Sequence, residues 1–163
     1  MERLPWSIED FHGQRSMKYA SLVAISPTLL PATMGVVFGM LAQGPKDSSP
    51  LIDVRWWPML EVGDLPGLPD WHYDVWNDPI KGAADRHMLY ILGADCQTEF
   101  AINNDTSNTK FIDEGCIHEY TGADLHRLTA AKARGPRVLV RCSWTTLKPQ
   151  NVKQKQGYIH GNL

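Results

Sequence analysis

From Leu51 onward the chain is a series of short runs rich in β-branched and aromatic residues, each closed by Gly, Pro, Asn or Asp. Residues 51–62, 71–76, 86–92, 98–102, 116–121 and 137–145 read as strands, and several short strands at this spacing predict a sandwich or barrel. Pro58 removes a ladder donor from the first run, which predicts an edge position or a bend there. Residues 103–110 (NNDTSNTK) read as a polar loop, and the polar tail after Trp144 is expected to fray.

The N-terminal third is different. Its most apolar stretch covers residues 19–42, long enough to raise the question of a membrane span, which needs about 20 apolar residues. Pro27 and Pro31 fall inside it and would break one continuous helix. The expected reading is two elements: a strand over 18–25, a Ser26-Pro27-Thr28 turn, and a helix over 32–42. Pro31 then takes the first helical position and Gly44 a left-handed cap. With 163 residues the chain suits one domain. Residues 1–48 would form a strand and helix buttress, 49–146 the β core, and 147–163 a polar tail. Hydrophobic residues at 43% and charged residues at 21% fit a folded domain rather than disorder. A formal net charge of -2 gives no global attraction to nucleic acid or to anionic lipid. Cys96, Cys116 and Cys142 are widely spaced with no C-x-x-C pair, so they are expected to be reduced thiols.

Trp71-His72-Tyr73-Asp74 sets an imidazole and a carboxylate two residues apart, and on a strand such positions share a face. With a second histidine they would form a 2-His-1-carboxylate set around one metal ion. His126 is the leading candidate. It is followed by Arg127, a basic loop, Gly135-Pro136 and an alternating run. That run puts Arg137, Leu139, Arg141 and Ser143 on one face and Val138, Val140, Cys142 and Trp144 on the other. Arginines on the inner wall of a barrel are costly unless they meet an anion, and guanidinium matches carboxylate bidentately.

Taken together, Trp-His-x-Asp, the distal His126, Arg137 eleven residues later and Arg141-x-Ser143 resemble the Fe(II)/2-oxoglutarate-dependent oxygenase superfamily. The arginine spacing is similar to that of its taurine dioxygenase and phytanoyl-hydroxylase-like branches. The resemblance covers residues 51–145 and leaves the N-terminal part unmatched. It implies a mostly β, double-stranded β-helix (jelly-roll or cupin-like) barrel with an N-terminal helical buttress. It also implies that His72, Asp74 and His126 bind Fe(II) and that Arg137 holds the distal carboxylate of 2-oxoglutarate. Arg141, with Ser143 beside it, would touch the cosubstrate or an acidic substrate group, and O2 would be the second co-reactant. Tyr90 and Thr98, on intervening strands, are expected to offer hydroxyls to 2-oxoglutarate. The implied activity is hydroxylation of a small molecule, nucleobase or side chain.

Competing readings stand beside these. His72 and Asp74 could be a surface pair in a Pro-rich loop, and the arginine face of residues 137–145 could be solvated. His118 is the rival third ligand, although no Gly-Pro turn and arginine strand follow it at the right distance. His87 reads as a solvated or supporting residue, and His12 and His160 as surface. Trp56, Trp57, Trp71 and Trp76 read as core or cavity wall. The functional alternative is a cupin-like binding or sugar-isomerising module. Nucleic-acid binding has only the basic residues of 148–155 in its favour. The first residues, MERLPWSIEDF, lack an apolar leader core, so a cytoplasmic location is expected.

Overall fold

A computed structural model describes residues 2–74 and 82–145, together with the backbone of 158–159. Ten strands and two α-helices follow one another in it. The strands are β1 (Met17–Ala20), β2 (Leu51–Leu60), β3 (His72–Tyr73), β4 (Arg86–Leu92), β5 (Thr98–Ile102), β6 (Asp105–Phe111), β7 (His118–Thr121), β8 (His126–Leu128), β9 (Gly135–Trp144) and β10 (Tyr158–Ile159). The helices are α1 (Leu22–Ile25) and α2 (Pro31–Gln43). The protein is mostly β, in two antiparallel five-stranded sheets ordered β1-β2-β9-β4-β7 and β10-β3-β8-β5-β6. Each sheet keeps two edges, so the expected closed barrel does not form among the described residues. Among those residues no helix is long and apolar enough to cross a membrane.

The ten-residue β9 lies at the centre of the first sheet, hydrogen-bonded to β2 on one side and β4 on the other. Its alternation sorts its side chains as the sequence predicts. Val138, Val140, Cys142 and Trp144 join Ile52, Val54, Met88 and Tyr90 in a large core. That core is closed by Val36, Val37 and Met40 of α2, so the N-terminal helix covers the outer face of the first sheet. Between the sheets lies a smaller apolar cluster of Leu89, Ile91, Phe100, Ile112 and Tyr120. Burying so much of a chain this size supplies its stability without disulfides, and Cys96, Cys116 and Cys142 are buried and form none.

Several local expectations are corrected. The first strand ends at Ala20, because Ser21 caps a helical turn by accepting from the Ala24 N–H at 3.2 Å. Residues Ser26–Thr28 then form a 3-10 turn. Gly44 ends α2 in extended backbone, not left-handed. It is needed for space: a Cβ there would lie 2.3 Å from the Trp144 ring. Residues 105–111 are a strand, not a loop. Asn103 and Asn104, both with positive φ, make a two-residue hairpin turn that returns the chain along β5. Its Asp, Asn, Thr and Lys side chains suit a solvated edge. Pro58 coincides with a register shift between β2 and β9, the bend expected of it. In the tail, Tyr158–Ile159 pairs with β3, whereas His160 and most of residues 147–163 lie outside the described residues, as do Trp76 and the lysines of 148–155.

Candidate metal centre

β3 and β8 are antiparallel neighbours whose register sets His72 directly opposite His126. Their rings are 4.4 Å apart between centroids. Asp74 follows two residues after His72 and turns its carboxylate to the same side. His72 Nε2 lies 3.7 Å from Asp74 Oδ1, and His126 Nε2 lies 3.3 Å from Asp74 Oδ2. One ligand atom from each of the three side chains falls within 4.8 Å of the other two, and all three residues are buried.

Neighbouring groups orient each of them. His72 Nδ1 donates to the Asp70 carbonyl at 2.8 Å, and His126 Nδ1 donates to the Asp124 carbonyl at 2.9 Å. A carbonyl only accepts, so the proton sits on Nδ1 and Nε2 faces Asp74. This is how metal-binding imidazoles are usually held. Burial, reinforced by nearby His126, pushes the His72 pKa down to about 4, so the ring is neutral at pH 7. Burial pushes the Asp74 carboxyl up, but His126 and Arg141 outweigh it and hold the group well below the usual carboxylate range. Asp74 Oδ2 accepts from the Tyr120 hydroxyl at 2.6 Å and from Arg141 Nη1 at 3.0 Å. Two imidazole nitrogens and one carboxylate, buried and converging, fit a divalent cation with open positions.

The triad forms part of the wall of a cavity of about 120 Å³ between the sheets. Arg137, Leu139 and Arg141 of β9, Asp53, Arg55 and Trp57 of β2, and Thr98 of β5 also line it. Arg137 is 1% exposed. Its Nε donates to the Cys96 carbonyl at 3.2 Å, and its guanidinium lies 5.1 Å from the Trp57 ring centroid. Nη2 is buried with no hydrogen-bond partner, and Arg137 forms no ion pair among the described residues. Burial accordingly lowers its pKa below the ordinary arginine value.

Arg141 is placed quite differently. Besides Asp74, its Nη2 donates to Asp53 Oδ2 at 2.9 Å and to the Tyr19 hydroxyl at 3.3 Å. Where contact with cosubstrate or an acidic substrate group was expected, two protein carboxylates take its fork, although Arg141 also lines the cavity. Tyr90 is corrected. It lies on the outer face of β4, packed on Phe11 at 5.9 Å between ring centroids, away from the cavity. Leu89 holds the cavity-facing position instead. Ser143 has the right face but meets His87 Nδ1 at 2.8 Å rather than the cavity. Thr98 does line the cavity.

Among the described residues, the other histidines offer no ligand atom to the triad. His118 Nε2 meets the backbone of Asp113, and His87 is fully buried, stacked on Tyr120 at 4.9 Å and hydrogen-bonded to the Asp74 backbone. His12 packs edge-on to Trp56. Asp53, Tyr19, Tyr120 and Arg55 were not anticipated. Asp53 and Arg55 did carry a signal, since they alternate with Ile52, Val54 and Trp56 as β9 does with its own apolar face. No protein-family model matches the chain, and no curated protein matches it.

Proposed function

We propose that this chain is a non-haem Fe(II)- and 2-oxoglutarate-dependent oxygenase on a double-stranded β-helix, using O2 to hydroxylate a small molecule, nucleobase or side chain. The observation that carries the reading is Arg137: a buried guanidinium with no anion beside it among the described residues, on the wall of the cavity that also contains a buried His-Asp-His set. An uncompensated buried cation is costly, and a dicarboxylate with one end at Arg137 would relieve it. Strand order supports the fold. Counted from β2 to β9, one sheet takes the first, eighth, third and sixth strands and the other the second, seventh, fourth and fifth. That is the order of an eight-stranded jelly roll.

In this reading His72, Asp74 and His126 hold the ion. Bound there, ferrous iron would supply open coordination positions and the electrons for O2 activation coupled to oxidative decarboxylation of 2-oxoglutarate. Arg137 binds the distal carboxylate of the cosubstrate, with the Trp57 ring beside the guanidinium and Thr98 offering a hydroxyl from the facing strand. Leu89, Leu128 and Leu139 keep water from the space between. Incubating Fe(II)-reconstituted protein with 2-oxoglutarate, O2 and ascorbate tests the activity by the release of succinate. Uncoupled turnover lost in Asp74→Ala is expected; folded, iron-loaded protein that yields no succinate and binds no 2-oxoglutarate contradicts it. A cupin-like binding module is the second reading. In its favour, Asp74 already has two protein donors, and it predicts indifference to 2-oxoglutarate.

A further inference from the structure

Arg141 occupies a position from which the family resemblance expects contact with cosubstrate or an acidic substrate, yet here it faces inward onto protein carboxylates. β2 and β9 set Asp53 directly opposite Arg141, and the guanidinium spans from Asp53 Oδ2 to Asp74 Oδ2. Asp53 Oδ2 accepts from Arg141 Nη2 at 2.9 Å and from Arg55 Nε at 3.2 Å, so Arg141 is held between Asp53 and Asp74 at the end of an alternating charge row. On the other side, the Tyr120 hydroxyl reaches the same Oδ2 at 2.6 Å. Both donors therefore converge on Oδ2, the oxygen 3.3 Å from His126 Nε2, and neither reaches Oδ1, which lies 3.7 Å from His72 Nε2.

A second observation points the same way. Tyr19, a bulky residue, has φ 52 within β1, where the register with β2 shifts. Left-handed backbone at such a residue is strained and persists only where surroundings enforce it. What it achieves is to bring the Tyr19 hydroxyl to Arg141 Nη2, with the ring centroid 5.9 Å from the guanidinium carbon.

We propose that Arg141 and Tyr120 are positioning residues that lock the Asp74 carboxylate so that Oδ1 alone is presented to the metal, with Asp53 and Tyr19 holding Arg141 in place. This rests on the metal-site reading above. It assigns Arg141 to the metal centre and removes it from substrate recognition. Arginine is required because its planar fork reaches two carboxylates at once, which the single ammonium of lysine does not.

Calorimetric titration of the full chain with Co(II), followed by the visible d–d spectrum of the cobalt protein, tests it. Tyr120→Phe removes one neutral donor without changing charge or shape. Arg141→Lys keeps the charge and loses the fork. Each is expected to weaken Co(II) binding by about tenfold or more and to alter the d–d spectrum, as loss of groups that orient metal ligands does. A wild-type isotherm and spectrum in either folded variant overturns the assignment of that residue. If Arg141→Lys fails to fold by circular dichroism, Tyr120→Phe decides alone. Wild-type protein that takes up no Co(II) overturns the metal-site reading and this proposal together, whereas uptake by wild type with unaltered variants overturns the proposal only.

Discussion

Replacing Arg137 with methionine separates a functional role for this residue from a structural one, because the two predict opposite signs. The guanidinium is 1% exposed, forms a hydrogen bond with a backbone carbonyl, and has no carboxylate partner among the described residues. Replacing a buried charged group with an apolar side chain of similar length is often neutral or stabilising, by about 1–4 kcal/mol. For a chain of this size each kcal/mol moves the melting midpoint by roughly 2–4 °C. Arg137→Met is therefore expected to raise the Tm of the metal-free protein by about 2–16 °C. The same change removes a bidentate, charge-assisted contact whose two hydrogen bonds are worth about 1.5–3 kcal/mol each. The dissociation constant for 2-oxoglutarate should then rise by on the order of a hundredfold or more. Differential scanning calorimetry of the apoprotein and isothermal titration of the metal-loaded protein read the two effects. A fall in Tm with unchanged 2-oxoglutarate affinity would refute the reasoning and make Arg137 a packing residue.

Burial lowers the pKa values of His72 and His87 to about 4, below the 6.5 of an exposed histidine, so the unfolded chain binds more protons between those values. Stability is then complete above pH 6.5 and lost as pH falls toward 4, by on the order of 3 kcal/mol for His87. Urea unfolding of wild type and His87→Asn at pH 7 and pH 4.5 should show a smaller acid loss in the variant; equal losses would contradict this. Gly122→Ala places a Cβ 1.9 Å from the Gly82 carbonyl oxygen and 3.1 Å from that of Asp74. It should destabilise by about 1–3 kcal/mol in thermal unfolding, and a neutral result would show that these backbones part easily. Tyr90→Phe removes a hydroxyl that is buried without a hydrogen-bond partner among the described residues. It should leave 2-oxoglutarate affinity unchanged and stability equal or slightly higher, whereas weaker cosubstrate binding would return Tyr90 to the site.

The parts of the site legible in the sequence are those carried by local periodicity. His72 and Asp74 two residues apart, and Arg137, Leu139 and Arg141 alternating with valines, declare their faces without a partner strand. Tyr90 could not be assigned in this way. β4 (RHMLYIL) is apolar on both faces, so alternation gives no phase, and only packing against Phe11 and α2 fixes it. Arg141 was placed on the correct face, but its partners lie 88 and 122 residues away in the chain, at Asp53 and Tyr19. Sheet register brings them together, and no local pattern records it. β6 was missed for another reason. Asp105, Asn108 and Lys110 have low β-propensity, and pairing with β5 through the Asn103-Asn104 turn outweighs that preference.

Anaerobic titration of the Fe(II)-loaded chain with 2-oxoglutarate, followed by visible absorption, tests the proposed site most directly. A metal-to-ligand charge-transfer band should grow in wild type, be absent in His72→Ala, and require far higher 2-oxoglutarate in Arg137→Met. Folded, iron-loaded protein that develops no such band at any concentration would contradict the oxygenase reading and favour a binding module that uses the same cavity.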